Sequence, residues 1–456
     1  MNLMEVKDKR VLVVGLGKSG VASALFLKAH GARVAVSDTK SGDELRNEIP
    51  VLLDHGITVE TGGHGERTFR GQDLIVVSPG VPVDTPLLVQ ARSLGEPVIG
   101  EIELAAQFLP GPIVAITGSN GKTTTTTLTG EILAAGGLPT LVGGNIGTPA
   151  ISLAERAKPE SVIVLEVSSF QLETIQTFRA KVAVVLNVTP DHLDRHRTLD
   201  VYVNAKARIF ENQQSSDFAV LNADDPTCVA MAPRTRAHVF WFSRHKEVKQ
   251  GAWVREGNIL FRDGAGLQEK AQREVMLVSE IPLKGAHNLE NVLAAVCAGG
   301  LMGCAPEKIR QAVRDFKAVE HRLEFVATIR GVDYYNDSKA TNVDATIKAL
   351  ESFPANIHLI LGGKDKGSDY TVLNDLLRQR VKRVYTIGAA AAKIESQIKG
   401  AEVVHAETLE NALRKANAAA QAGDVVLLAP ACASFDQFKN YEQRGQVFKG
   451  IVRGLG

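Results

Sequence analysis

Two short stretches of this chain have the residue types and spacing to hold a phosphate. One is VLVVGLGKSG, residues 11–20; the other is ITGSNGKTTTTT, residues 116–127. In the first, Gly15, Gly17 and Gly20 follow an apolar run and precede the helix-like VASALFLKAH. Glycines so spaced permit a tight turn and a close backbone approach, and the start of the helix attracts an anion. Asp38 closes the next apolar run, where an acid can meet a ribose hydroxyl. Three readings stay open: a diphosphate held without redox chemistry, a nicotinamide cofactor, or a tight turn with no ligand. In the second stretch, Gly118, Ser119, Asn120 and Gly121 lead into Lys122, Thr123, Thr124 and Thr125. Lys122 offers a point charge to the outer phosphates of a nucleotide, Thr123 a hydroxyl to Mg²⁺, and the loop N–H groups a cradle. The strict phosphate-loop pattern wants glycine where Ile116 stands, so the chain carries a shorter TGxxGK[ST] version.

Further groups fall where that chemistry needs them. Glu166 ends the apolar run of SVIVLEVSS, and Asp191 and His192 lie in NVTPDHLDRH just past another. Strand ends of an open parallel sheet face the ligand crevice, so all three point toward a triphosphate held at Lys122. In LDVYVNAKARIFEN, residues 199–212, a helical spacing puts Leu199, Val203 and Phe210 on one face with Lys206 among them. A lysine so placed either snorkels to water or loses solvent. If it loses solvent its pKa falls, and the neutral amine can combine with CO₂ into a carbamate, an extra anion beside a metal.

The elements that must carry these groups read as strand, loop and helix in alternation. Strand-like runs include VLVVG, RVAVSD, DLIVVSPG, PIVAITG, SVIVLEVSS, KVAVVLNV, DFAVLNA, NIHLILGG, RVYTIG and DVVLLAPA. Most are continuously apolar, which suits strands buried on both faces of parallel sheets; the fold class is α/β. A length of 456 residues calls for more than one core. The break LPGP at 109–112 and a second near Lys317–His321 suggest three domains, placed at 1–100, 101–318 and 319–456. The polar segment 243–282 reads as an irregular peripheral extension of the middle domain. A net charge of +1 and 5% aromatic residues give no support to a nucleic-acid or membrane-surface partner. Cys228, Cys297, Cys304 and Cys432 show no CxxC spacing, which fits a reducing compartment. With no signal or transit peptide and no membrane-length apolar run, a soluble cytoplasmic monomer is the expectation.

Taken together, TGSNGKTT, LEVSS, NVTPDHLDRH, NAKARIF, GAHNLENV, EHRLE and YNDSKATN resemble the Mur ligases of peptidoglycan synthesis. Within that family, the GLGKSG domain, YNDSKATN, GGKDKGSD and PACASFDQF are similar to the branch that joins D-glutamate to UDP-N-acetylmuramoyl-L-alanine. The resemblance implies a Rossmann-like N-terminal domain for the UDP substrate, a central P-loop ATPase-like domain with a mostly parallel sheet, and a Rossmann-like C-terminal domain for the amino acid. By matching position, Lys18, Ser19, Asp38, Thr39, Ser78, Gly80 and Asn145 would line the UDP-substrate site. Gly118 to Thr125 would hold ATP phosphates, with Asn288 and Asn291 on the adenine side and Arg322 and Asp337 reaching in from the third domain. Thr123, Glu166, His192 and a carbamylated Lys206 would hold Mg²⁺. Lys339, Thr341, Lys366, Ser434 and Tyr441 would receive D-glutamate.

The implied reaction is ATP-dependent amide-bond formation. The alanyl carboxylate attacks the γ-phosphorus, Lys122 and Arg322 stabilise the transferring group, and the amine of D-glutamate displaces phosphate from the acyl phosphate. His192 is a candidate base for that amine as well as a candidate metal ligand. Other readings remain: a sibling Mur ligase or folylpolyglutamate synthase, a nicotinamide-dependent dehydrogenase that leaves GSNGKTT idle, or a non-catalytic nucleotide sensor.

Overall fold

The computed structural model describes residues 4–264, 272–317 and 319–455. Ala318, inside the expected second break, and residues 265–271, inside the segment 243–282, lie outside the described residues.

Three sheets are laid down in chain order. The first holds β1 (Arg10–Val14), β2 (Arg33–Ser37), β3 (Thr58–Glu60), β4 (Leu74–Val77) and β5 (Val98–Gly100), all parallel, in the order β3-β2-β1-β4-β5. The second holds β6 (Ile113–Thr117), β7 (Thr140–Gly144), β8 (Val162–Glu166), β9 (Val182–Val185), β10 (Phe218–Asn222), β11 (His238–Ser243), β12 (Gly251–Arg255), β13 (Asn258–Arg262) and β14 (Gln272–Leu277). Its order is β14-β13-β12-β11-β10-β9-β6-β8-β7. The third holds β15 (Glu324–Ile329), β16 (Val332–Asn336), β17 (Ile357–Gly362), β18 (Val381–Ile387), β19 (Glu402–Glu407) and β20 (Val425–Leu428), in the order β15-β16-β20-β17-β18-β19. The chain is thus a three-domain α/β protein. Every apolar run read as a strand forms one. In the first sheet the chain steps outward from β1 to β2 and β3, then returns to β4 on the other side. The crevice at that reversal is where an open α/β sheet takes a ligand.

The segment 243–282 is not irregular in its described part. β12 pairs parallel to β11, and β12, β13 and β14 continue antiparallel at the sheet edge. Both faces of β12 and β13 are buried: Ala252, Ile259 and Phe261 join the main core of the domain, and Trp253 and Leu260 face a small separate core with Val248. The third sheet likewise ends in an antiparallel edge strand, β15 on β16.

Helix Lys122–Ala135 opens with five consecutive threonines, residue types that favour strands in isolation. Packing overrides that preference. Leu128, Ile132 and Leu133 share one core with Val292, Leu293 and Val296 of helix Ala286–Leu301. The approach is close: a Cβ on Gly299 would lie 2.5 Å from Ile132 Cγ2.

The first domain reaches the second through helix Glu101–Phe108, pinned by two buried acids. Glu103 accepts from the backbone N–H groups of Gln176, Thr177 and Phe178 at 2.8–2.9 Å. Glu101 accepts from Ile151 N at 2.8 Å. Burial raises the Glu101 carboxyl from 4.5 to about 7, against that hydrogen bond. No helix among the described residues is long and apolar enough to cross a membrane, and the four cysteines are buried and free.

Because its folded pKa is raised, Glu101 holds a proton in the folded chain that the unfolded chain has released. Its contribution to stability therefore declines as pH rises from 4.5 to about 7. Urea unfolding at a series of pH values should show Glu101→Gln abolishing this decline, with the wild type losing about 3 kcal/mol relative to the variant across that window.

Candidate active site

The second glycine loop sits between β6 and helix Lys122–Ala135. Gly118 takes φ +154° and Gly121 φ +87°, both costly for a residue with a Cβ. A Cβ on Gly121 would also fall 2.1 Å from Asn291 Oδ1. The segment 187–189 and helix Ala286–Leu301 prop the loop and its helix. Asn120 N donates to Asn187 Oδ1 at 2.9 Å, Ser119 Oγ donates to Thr189 O at 2.8 Å, and Thr125 Oγ1 donates to Asn291 Oδ1 at 3.3 Å. Asn291 in turn donates to Asn288 Oδ1, and Asn288 to Lys284 O. Thr124 is buried one position before Thr125.

Two lysines converge on this loop. Lys122 Nζ donates to Gly118 O at 2.8 Å and to Ser119 O at 2.9 Å. Lys206 Nζ donates to the same Gly118 O at 2.8 Å and lies 4.4 Å from the Tyr202 ring centre. Lys206 is only 1% exposed, and burial together with the Lys122 charge drives its amine well below the ordinary lysine range. The expected stripe of residues 199–212 is corrected in detail. The α-helix ends at Ala207 and a 3₁₀ turn follows. Leu199 is 37% exposed and Val203 half-buried, so the inward pair is Tyr202 and Lys206, four apart.

An oxygen-rich point lies beside the loop. Thr123 Oγ1 donates to Glu166 Oε2 at 2.8 Å, and Glu166 Oε1 accepts from Asn145 Nδ2 at 2.8 Å. Lys339, from the third domain, places its ammonium 2.6 Å from Thr123 Oγ1. A hydroxyl and a carboxylate that already attract a cation fit a hard dication such as Mg²⁺. His192 opens its helical turn with φ 54° and lies 3.6 Å from Asp191 by its Nε2. Burial lowers its pKa to about 4 despite Asp191, so the imidazole is neutral and able to ligate or accept a proton.

The third domain meets the loop at three more points. Asn342 Nδ2 donates to Asp191 Oδ2 at 3.0 Å, and Asp344 accepts from both Asn120 Nδ2 and Thr189 Oγ1. Sequence reasoning missed both, although YNDSKATNVD runs straight through them. Arg322 is presented by a turn with φ 64° at His321 and 44° at Leu323. Glu320 and Glu324 on either side are both held by the Lys449 ammonium. Arg322 Nε and Asp337 Oδ1 are buried with no hydrogen-bond partner among the described residues. Burial raises the Asp337 carboxyl to about 6, against the nearby Arg322 charge.

A cleft of about 780 Å³ opens between the domains, lined by His192, Thr341, Lys364, Lys366, Ser434 and Tyr441 among others. Four of the five residues matched to D-glutamate therefore share one cleft. Lys339 instead reaches Thr123, with its ammonium 5.1 Å from the Tyr441 ring. Lys364 was missed, although it stands two residues before Lys366 in the same loop.

At the first glycine loop, Ser78 Oγ donates to Gly15 O at 2.7 Å. The Asp38 carboxylate braces the loop by accepting from Leu16 N at 2.6 Å, and its other oxygen accepts from Lys40 N at 2.8 Å in the turn after β2. Lys18, Thr39 and Gly80 are exposed around it and Ser19 is half-buried. Asn145, matched to the same substrate, lies at the Glu166 carboxylate instead. Arg195 joins the two domains: it donates to Pro79 O, Val81 O and Glu173, and stacks 4.2 Å over Phe170.

The three glycines of this loop do different work, and substitution separates them. A Cβ on Gly20 would lie 1.8 Å from Gly15 O, whereas one on Gly17 meets nothing within 4 Å. Gly20→Ala should cost about 2–3 kcal/mol and lower the thermal melting point, and Gly17→Ala should leave it unchanged.

Comparison with known proteins agrees with this arrangement. Family models match the chain in three pieces: the MurD-like N-terminal domain of Mur ligases over residues 9–100, the Mur ligase middle domain over 116–299, and the glutamate ligase domain of Mur ligases over 321–432. The UDP-N-acetylmuramoylalanine–D-glutamate ligase of Koribacter versatilis (strain Ellin345) is 68% identical over 452 residues, covering 99% of each chain. The protein of the same name from Solibacter usitatus (strain Ellin6076) is 54% identical over 455 residues, again covering 99% of each. Among solved structures, a pseudomurein peptide ligase type C from Methanothermus fervidus superposes with a TM-score of 0.61 at 20% identity, covering 98% of this chain and 100% of that one. MurF ligase from Thermotoga maritima in complex with ADP gives a TM-score of 0.61 at 19% identity, covering 100% and 97%. The structural likenesses speak for the fold, and the family models with the sequence relatives speak for descent: the chain belongs to the Mur ligase family.

Proposed function

We propose that this chain is an ATP-dependent ligase that joins D-glutamate to UDP-N-acetylmuramoyl-L-alanine through an acyl phosphate, in cytoplasmic peptidoglycan precursor synthesis. The observation that carries the reading is the meeting at Thr123 of a phosphate loop, the Glu166 carboxylate and a third-domain lysine. The names of the relatives supply the substrates. Residues 1–100 hold the UDP substrate, 101–318 hold ATP and 319–456 bring the amino acid; the protein acts as a monomer.

In this reading Lys18, Ser19, Thr39, Ser78 and Gly80 surround the uridine diphosphate, with Asp38 shaping the loop. Lys122 leaves the Gly118 and Ser119 carbonyls for the outer phosphates of ATP. Arg322 Nε and Asp337 Oδ1 take the nucleotide as their missing partner, recovering about 1–3 kcal/mol for each buried polar group. Thr123, Glu166, His192 and Lys206 as its carbamate would hold Mg²⁺, which neutralises charge on the transferring phosphoryl group. The Lys206 amine suits carbamate formation, since burial favours its neutral form and no carboxylate among the described residues is in hydrogen-bond contact with it. Thr341, Lys366, Ser434 and Tyr441 orient the two carboxylates of D-glutamate, and Lys339 follows the carboxylate being activated. The contacts of Asn342 and Asp344 close the third domain on the loop and exclude water from the acyl phosphate.

Purified protein with Mg²⁺–ATP should release phosphate only when UDP-N-acetylmuramoyl-L-alanine and D-glutamate are both present. Release with another acceptor, or with the UDP substrate omitted, would overturn the assignment. Separately, incubation with ¹³C-bicarbonate should give a carbamate carbonyl resonance in the wild type that is missing from Lys206→Arg; equal spectra would remove the carbamate from the scheme.

A further inference from the structure

Arg444, in helix Tyr441–Arg453, is a fully buried guanidinium. Its Nε donates to Ser338 Oγ at 3.0 Å, and its Nη2 to Ser338 O at 2.8 Å and Cys432 O at 3.1 Å. Nη1 reaches Ala433 O at 3.5 Å. Each of these hydrogen bonds, the full set among the described residues, goes to a neutral oxygen. Nη1 also lies against Gly363, where a Cβ would stand 3.2 Å away at φ +136°. Ser338 Oγ continues the link by donating to Tyr441 O at 2.8 Å.

One side chain therefore hydrogen-bonds two loops, 337–341 and 430–435, and packs beside Gly363 at the start of a third, 363–367. Those loops carry Thr341, Lys366 and Ser434, and Tyr441 lies one turn before Arg444 on its own helix. A buried charge without an ionic partner is expensive, and an apolar side chain of similar volume would fill the space more cheaply. What an apolar side chain cannot supply is five donors in a fixed plane, which lock carbonyls from separate loops into one geometry. Nor can it place a permanent positive charge beneath a cleft already bearing Lys364 and Lys366.

We propose that Arg444 is a positioning residue for the acceptor amino acid: it fixes the three loops of the cleft in mutual register and adds buried positive charge that favours an acceptor with two carboxylates. This rests on the cleft being the acceptor site, as read above.

The test uses the full chain with Arg444→Gln and Arg444→Lys, each checked for an unchanged melting point and unchanged ADP binding. Hydrogen exchange without substrates reads the positioning directly. In Arg444→Gln, amides of all three loops should exchange about ten-fold faster while β17 and β20 keep their protection. In turnover, the KM for D-glutamate should rise about ten-fold or more, with the KM values for ATP and for the UDP substrate within about two-fold and Arg444→Lys intermediate. Unchanged exchange in any of the three loops, or an equal rise in all three KM values, overturns the proposal. If Arg444→Gln does not fold, Ser338→Ala removes one acceptor of the same network. It should raise the D-glutamate KM selectively by about three-fold, and an unselective change overturns the proposal as well. A wild type that consumes no D-glutamate would sink the functional reading alone, since the exchange measurement requires no substrate.

Discussion

The Gly118 carbonyl oxygen accepts hydrogen bonds from two lysine amino groups, Lys122 and Lys206, inside the protein. Two positive charges this close in a low-dielectric setting would repel, and a single carbonyl dipole would offset little of that repulsion, so the site disfavours carrying both protons. Burial lowers both amines, and Lys122 is the charge that acts most on Lys206. The surplus is a demand for anions. Glu166 meets part of it, through Thr123 and at longer range, and the remainder matches what a nucleotide triphosphate brings. Much else in the middle domain serves to keep these groups in place: two left-handed glycines, the asparagine props from Asn187 and Asn291, and the helix pair behind the loop.

The third domain is coupled to this charged loop by polar contacts rather than by a shared apolar core. Lys339, Asn342 and Asp344 reach across to Thr123, Asp191, Asn120 and Thr189, while the apolar clusters of the third sheet are its own. Polar contacts exchange partners with little loss, so an interface of this kind can open and reclose without exposing a hydrophobic core. Arg195 plays the corresponding part on the other side, gripping the 78–81 turn of the first domain. The loop 187–196 thus feels both neighbours.

The two glycine loops and the strand-end acids stood out because glycines, a lysine and acids at strand ends have few structural uses there, and Lys206 because its helical spacing set a charge among apolar residues. The parallel architecture was legible because buried strands are uniformly apolar. The antiparallel ribbon β12–β14 was not, since its apolar residues come in short runs, broken by exposed polar residues such as Arg255, Gln272 and Arg273, and read as loop. The inward placing of Lys206 and Phe210 was legible from helical spacing; Leu199 instead is exposed and Tyr202 takes the buried place beside Lys206. What the sequence did not show for Asp38 and Asn145 is their contacts: the Asp38 oxygens accept from backbone N–H groups and the Asn145 amide donates to Glu166. Arg195, Lys364 and Arg444 escaped notice because their partners are far away in sequence, and a lone arginine or lysine in a polar loop carries no local signal.

The pairing of helix Lys122–Ala135 with helix Ala286–Leu301 has a consequence for how the protein is made. About 150 residues separate the two, so a ribosome adding about 5–20 residues per second leaves Leu128, Ile132 and Leu133 without their covering helix for on the order of ten to thirty seconds. During that interval the threonine-rich helix has weak intrinsic propensity and an uncovered apolar stripe. The core of the middle domain is therefore completed late, and the pace of synthesis across β10–β14 sets how long that apolar stripe waits for its cover.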